Sequence, residues 1–298
     1  MPEQPTEEQK QQMAAEQEAV NNRVGRIKNR ILVLSGKGGV GKSTVAASLA
    51  TSLAEQGYKT GLLDVDIHGP SIPQLVGLTG LPPGLEGTGA TEEELQPMRA
   101  ADNLHVMSIG FLLENPEQAV IWRGPMKYNL IKQFLKDVAW GDLDYLVVDS
   151  PPGTGDEPLA VAQMLGSPSH ALVVTTPQEL SVSDVRRCVT FCRKVEVSLL
   201  GVVENMAYYQ CPECGNKDYI FGEDGGKDLA DFMGTELLGQ LPLISEVRRR
   251  SDTGKPIVFD EPEAEISKEF IKIAKRLAER EGGFDEKIEP LKLNMNAK

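Results

Sequence analysis

Short runs of β-branched and apolar residues recur along the chain at 31–35, 60–66, 104–109, 145–149, 170–175, 199–204 and 236–241. Between most of them lie stretches with helical spacing of apolar positions, at 43–56, 126–138, 157–165, 181–195 and 244–251. A strand that is apolar throughout, rather than at alternate positions, has both of its faces buried. Such strands alternating with amphipathic helices predict an α/β fold with a mostly parallel sheet and helices on both faces. A last amphipathic helix is expected over 263–281, with Ile266, Phe270, Ile273 and Leu277 on one face and Gly282-Gly283 as its stop. Residues 78–102 break the rhythm: they are rich in Gly and Pro, carry Glu92-Glu93-Glu94, and predict a long surface loop. A single domain over 29–281 is therefore flanked by a polar arm, 1–28, read as a solvated helix or a disordered segment, and by a polar tail, 282–298.

Composition narrows the class. The 298 residues are 40% hydrophobic and 25% charged, the make-up of an ordinary globular protein large enough to bury a full core. The net charge is −13, nearly all of it within residues 31–260. Duplex nucleic acid is thereby disfavoured as a partner, because phosphate contacts need clustered Lys and Arg. The run Arg248-Arg249-Arg250 reads as a solvated helix face. No apolar run approaches the roughly 18 residues of a membrane span. The first residues hold no apolar h-region, so no export signal is expected. The four cysteines are then expected to be reduced thiols in the cytoplasm.

The first chemical motif is Gly36-Lys37-Gly38-Gly39-Val40-Gly41-Lys42-Ser43-Thr44, which satisfies G-x-x-x-x-G-K-[ST]. It follows a predicted strand and opens a predicted helix, the context in which this loop cradles phosphate. Its glycines let backbone N–H groups converge on phosphate oxygens, and the helix N-terminus adds its positive end. Lys42 is expected on the β- and γ-phosphates and the Ser43 hydroxyl on Mg²⁺. A strand closing on Asp149 is the second part: its carboxylate is expected to reach Mg²⁺ through water. The following Ser150-Pro151-Pro152-Gly153-Thr154-Gly155-Asp156 reads as a switch, with Gly153 able to approach the γ-phosphate. Asp64 and Asp66 end another strand on the crevice side of the sheet. Asp64 reads either as an outer Mg²⁺ partner or as a strand-end residue, and His68 is given no chemistry. Asn205, after the strand 199–204, offers both donor and acceptor to an adenine edge, with Leu241-Pro242 as the other wall.

Cys211-Pro212-Glu213-Cys214-Gly215 is a C-x-x-C turn. Two thiolates are half of a four-coordinate site, so one chain cannot complete it, whereas a symmetric dimer can. The spacing leaves open a bridging iron–sulfur cluster, zinc, a redox disulfide or no ligand at all. Cys188 and Cys192, one helical turn apart, read as small core residues.

The phosphate loop, the segments 64–70 and 149–156, Glu204-Asn205-Met206, the C-x-x-C and Ser251-Asp252-Thr253-Gly254-Lys255-Pro256 occur in that order. Together they resemble the iron–sulfur cluster carrier ATPases of the Mrp/ApbC family, P-loop NTPases with a deviant Walker A loop. The likeness covers about residues 28–278. It implies a homodimeric ATPase that uses ATP and Mg²⁺, binds a labile [4Fe–4S] cluster through Cys211 and Cys214, and delivers it to apo iron–sulfur proteins, with an assembly scaffold as a further partner. It implies that Lys37 crosses to the partner's nucleotide and that Asp66 positions the attacking water. It also implies that Asn205 pairs with adenine. The chain has no N-terminal cysteine set, so a second cluster is not implied. The rival is a MinD/ParA-like positioning or partition ATPase with structural zinc at the C-x-x-C. Against it stand the polar residues after the last helix, where a membrane helix is required, and the lack of a basic surface for DNA.

Overall fold

The structure, a computed structural model, describes residues 6–67, 69–79, 94–112, 124–153, 155–166, 169–178, 192 and 197–280. The chain opens with α1 (Glu7–Val24) and enters β1 (Ile27–Ser35), α2 (Lys42–Glu55), β2 (Thr60–Asp64) and the short α3 (Ile72–Leu75). A hairpin of β3 (Met98–Ala101) and β4 (Leu104–Ser108) leads to α4 (Gly124–Asp137), β5 (Leu143–Asp149), α5 (Asp156–Leu165) and β6 (His170–Thr175). Then come β7 (Ser198–Glu204), the two-residue strands β8 (Tyr209–Gln210) and β9 (Lys217–Asp218), α6 (Gly225–Met233) and β10 (Leu237–Gln240). Helices α7 (Ser245–Asp252), α8 (Ile257–Asp260) and α9 (Glu265–Ala278) complete the described chain.

The main sheet runs β10-β7-β6-β1-β5-β2-β4-β3. Every neighbouring pair is parallel except β3 with β4. All six residues of β6 and all five of β2 are buried. Since successive side chains point to opposite faces, both faces of the sheet are covered. One cover is α1, α4 and α5 packed on one another; the other is α2 with α8 and α9. The α/β reading with a mostly parallel sheet holds. Helix α2 is buried from Val45 to Ala54. Its hydroxyls tolerate this because they bond back along the helix, Thr51 Oγ1 to the Ala47 carbonyl at 3.0 Å and Ser52 Oγ to that of Ser48 at 2.7 Å.

Several elements differ in extent from the hydrophobic pattern. Strand β1 begins at Ile27, ahead of the apolar run, because Lys28 and Asn29 find Asp144 across the ladder, at 2.8 Å to its carboxylate and 3.0 Å to its carbonyl. Within the segment read as a loop, Met98–Ala101 forms the antiparallel edge strand. The polar arm is a docked helix: Val20 and Val24 are buried, Lys132 reaches Glu16 at 2.7 Å and Arg23 reaches Glu94 at 2.6 Å. Helix α9 buries Ile266, Phe270, Ile273, Ala274 and Leu277, so its apolar face belongs to the core. No helix among the described residues is long and apolar enough to cross a membrane. The arginine run is tied within its own corner, Arg248 to Asp252 at 2.7 Å and Arg250 to Glu246 at 2.7 Å, with Asp260 and Glu261 also on Arg250. Most of the predicted helix 181–195, with Cys188, lies outside the described residues, as do His68, Thr154 and the tail 282–298. Cys192 is described and buried, as expected of a core residue.

Candidate nucleotide site and cysteine hairpin

The parallel strands β1, β2, β5 and β7 all end at one edge of the sheet, where the chain has built out on both sides of β1. Their following loops gather there, at the position where open α/β sheets bind ligands. The loop of residues 36–41 leads from β1 into α2 through Gly39 and Gly41, whose φ values of 81° and 80° are left-handed. Gly41 is the residue that starts the helix. A cleft above the loop is lined by Lys37, Gly39, Lys42, Ser43, Asp66 and Pro152. The ends of three predicted segments thus meet around one hollow. Lys37 makes no ion pair among the described residues.

Lys42 is the electrostatic centre. Its buried ammonium lies 2.5 Å from Asp149 Oδ1, 3.8 Å from Asp66 Oδ2 and 3.5 Å from Ser43 Oγ. Burial pushes the Asp149 carboxyl up from its ordinary range, and the Lys42 charge opposes that push. The other oxygen, Asp149 Oδ2, is buried and has no hydrogen-bond partner among the described residues. An unpartnered carboxylate oxygen beside the Ser43 hydroxyl is a pair of hard donors that fits Mg²⁺.

Asp64 stands opposite Asp149 in the β2–β5 register. Its Oδ1 accepts from Asp66 N–H at 3.1 Å; its Oδ2 accepts from Ser108 Oγ at 2.9 Å and Ile72 N–H at 3.3 Å. Desolvation first, and the Asp149 charge second, push this carboxyl up to about 8. Of the two readings of Asp64, the strand-end one accounts for all three bonds: it braces the turn that carries Asp66. Ser108, which helps to hold it, has no sequence signature. The segment after β5 is pinned by Ser150 Oγ to the Val33 carbonyl at 2.7 Å and by Gly153 N–H to the Ser35 carbonyl at 2.9 Å, with Gly153 at φ 91°.

Asn205 reaches the phosphate loop itself: its Nδ2 donates to the Val40 carbonyl at 2.9 Å. It lies beside Leu241 and Pro242, since Leu241 N–H bonds the Glu204 carbonyl at 2.8 Å and both residues are buried. The preceding Glu204 belongs to the segment 204–206 that carries the resemblance, but the sequence alone gives it no role. It is fully buried and accepts from Gly226 N–H in the first turn of α6 and from Gln240 Nε2, both at 2.6 Å. The second glycine of α6 follows from this contact, because a Cβ on Gly226 would stand 2.6 Å from that of Glu204; the first, Gly225, is held to glycine by the Pro177 carbonyl.

Cys211 and Cys214 sit at the tip of the β8–β9 hairpin. Cys211 N–H donates to the Asn216 carbonyl and Gly215 N–H to that of Cys211, both at 2.9 Å, with Gly215 at φ 71°. The backbone N–H groups of Cys214 and Glu213 point at the Cys211 sulfur and hold its pKa below the usual thiol value. Cys211 is half-buried and Cys214 exposed, and both are free thiols. Among the described residues no group of three His, Cys, Asp or Glu is set to hold a metal. The hairpin therefore presents two sulfur ligands and no third from its own described chain.

A family model described as NUBPL iron-transfer P-loop NTPase, of the ParA group, matches residues 26–278. The chain is 43% identical over 267 residues to an iron–sulfur cluster carrier protein of Saccharolobus solfataricus, covering 90% of this chain and 88% of that one. It is 44% identical over 271 residues to the cytosolic Fe–S cluster assembly factor NUBP2 of Mus musculus, covering 90% and 97%. Among solved structures, a nucleotide-binding protein from Archaeoglobus fulgidus in complex with ADP superposes with a TM-score of 0.71 at 42% identity, over 83% of this chain and 94% of that one. The Pyrococcus furiosus cell division ATPase MinD gives a TM-score of 0.61 at 23% identity, over 84% and 98%, a likeness of fold alone.

Proposed function

The chain belongs to the NUBPL iron-transfer P-loop NTPase family, and from that premise we propose that it is an ATP-hydrolysing carrier holding a labile [4Fe–4S] cluster between two copies. The cluster is cargo, passed to apo iron–sulfur proteins in the cytoplasm and received from an assembly scaffold. The observation that carries the reading is the pairing, in one chain, of a phosphate loop with a two-thiol hairpin that has no third ligand among the described residues. Four sulfurs are needed and each copy supplies two, so a twofold axis through the hairpins completes the site.

On the nucleotide side, the N–H groups of the loop and Lys42 bind the phosphates. Ser43 and Asp149 would hold Mg²⁺, which supplies charge neutralisation at the β- and γ-oxygens. Asp66, braced by Asp64 through its own N–H, orients water. Lys37 stands at the cleft with no counter-ion among the described residues, which suits a cation directed at the partner copy's γ-phosphate. Asn205 keeps a second amide hydrogen and a carbonyl oxygen for the adenine edge, beside Leu241 and Pro242. The buried apolar face of α9 and the internally paired arginines favour a carrier over a membrane- or DNA-directed positioning ATPase.

The test is transfer. The anaerobically loaded protein is mixed with an apo-enzyme that is inactive without a [4Fe–4S] cluster. Activity should return faster than with equal free iron and sulfide in the presence of a chelator. The Cys214→Ala protein should transfer nothing. Equal rates for carrier and free ions would sink the proposal.

A further inference from the structure

Asn205, which reaches the nucleotide site, stands shortly before Cys211 in the chain, and the tract between them is pinned at successive residues. Asn205 Nδ2 donates to the Val40 carbonyl inside the phosphate loop. The fit is tight: a Cβ on Gly41 would stand 2.2 Å from the same nitrogen. Asn205 N–H is fixed to the end of β6 through the Thr175 carbonyl at 2.8 Å. Met206 follows with φ 55°, a left-handed backbone shared among the described non-glycine residues only with Asp224. Ala207 N–H then bonds the Leu241 carbonyl at 2.9 Å, and the Tyr208 carbonyl accepts from Leu243 N–H at 2.7 Å. Tyr209 and Gln210 enter the hairpin ladder, and Cys211 is next. Residues 205–211 therefore contain no slack loop that could absorb a movement begun at Val40 and Gly41.

We propose that Asn205 is the positioning residue through which nucleotide occupancy of the phosphate loop is transmitted to Cys211 and Cys214, along residues 205–211. The inference rests on the reading that the loop takes ATP and the two thiols take a cluster. Nucleotide phosphates draw on the N–H groups of the loop, and the Val40 carbonyl belongs to the same peptide as the Gly41 N–H. A rotation of that peptide changes the bond to Asn205. Met206, held in a sparsely populated conformation, passes the change on to the tract rather than relaxing it. The coupling is reciprocal: whatever factor nucleotide applies to cluster affinity, the cluster applies to nucleotide affinity.

The experiment measures the Kd for magnesium–ATP, under anaerobic conditions, on full-length protein with and without a reconstituted [4Fe–4S] cluster. A Lys37→Ala background slows hydrolysis during the titration. Three proteins are compared in it: the parent, Asn205→Ala and Met206→Gly. The parent should show a cluster-dependent change of about fivefold or more, the lower end of typical allosteric coupling. Asn205→Ala should bind both ligands with that factor reduced below about twofold. Met206→Gly keeps the Asn205 side chain and any base contact, and glycine accepts the left-handed backbone without strain. It should retain the cluster-free Kd and lose most of the factor, which separates transmission from adenine binding. If Asn205→Ala fails to fold or to bind nucleotide, Met206→Gly decides alone. A parent that binds both ligands with a factor of one, or a Met206→Gly protein that keeps the parent's factor, overturns the proposal while leaving the carrier reading intact. A parent that takes up no cluster overturns the carrier reading, and this inference with it.

Discussion

Replacing Lys42 by alanine removes the cation from a cluster of three acids, two of them fully buried. The ammonium lies 2.5 Å from Asp149 Oδ1, with both side chains almost wholly withdrawn from water. At an effective dielectric of about 20, the gross attraction at that separation is about 7 kcal/mol. Desolvation of both groups offsets much of it, and breaking a buried pair from one side typically costs about 3–5 kcal/mol. The loss should depend on pH. Without Lys42, burial is left to favour the protonated Asp149 with no cation opposing it, raising its folded pKa further above the ordinary value of 3.8. The folded state then binds more protons than the unfolded one, so the destabilisation grows as pH rises and shrinks as it falls. Urea melts of nucleotide-free protein at about pH 5.5 and about pH 8, both above the ordinary carboxylate range, read the direction of the effect. Adding Asp149→Asn to Lys42→Ala removes the orphaned charge and should recover part of the loss. ATP affinity should fall by about 10²-fold or more, since a charge-assisted contact to phosphate is lost. A Lys42→Ala protein with unchanged ATP affinity, or a loss equal at both pH values and additive with Asp149→Asn, would refute this account of the site.

Three further outcomes follow from the same geometry. Lys37→Ala should keep most ATP affinity and lose hydrolysis by about 10²–10³-fold; mixed with Asp66→Asn under proven subunit exchange, it should regain partial activity, and no recovery would place Lys37 in its own site. Cys211, with two backbone N–H groups on its sulfur, should alkylate faster than Cys214 near neutral pH, with buried Cys192 unreactive; mass spectrometry after brief iodoacetamide pulses reads the order. Glu204→Ala strips Gly226 N–H and Gln240 of a buried acceptor and should cost about 2–4 kcal/mol in a urea melt, whereas a loss under about 1 kcal/mol would mean that the carboxylate is not what holds α6.

What could be read from sequence was what local pattern controls. Doubly buried strands announce themselves as unbroken apolar runs, and the phosphate loop is a contiguous string whose chemistry is in its spacing. Strand β3 was hidden because an edge strand needs only one buried face and little length, and Met98–Ala101 follows a Gly- and Pro-rich stretch. Helix α6 was hidden because it begins with two glycines, which a local reading takes for a turn. They are needed there because Glu204 and the Pro177 carbonyl approach too closely for any side chain. The beginning of β1 was hidden because its polar residues are satisfied by Asp144, more than a hundred positions away. The same distance concealed the bond from Asn205 to Val40 and the three bonds that make Asp64 a brace. Such roles depend on which loops meet at the sheet edge, and no spacing within a single segment encodes that.

The central claim is that two chains together hold one cluster through Cys211 and Cys214. It is tested most directly by counting iron, sulfide and zinc in the anaerobically reconstituted dimer and in its cysteine variants. The count should be about four irons and four sulfides per dimer, in keeping with four-sulfur ligation, with broad visible thiolate-to-iron absorption. Cys211→Ala and Cys214→Ala should each abolish it while ATP binding persists, and Cys192→Ala should leave it intact. One zinc per dimer with iron rejected, or a cluster that survives in the Cys211→Ala/Cys214→Ala protein, would contradict the claim.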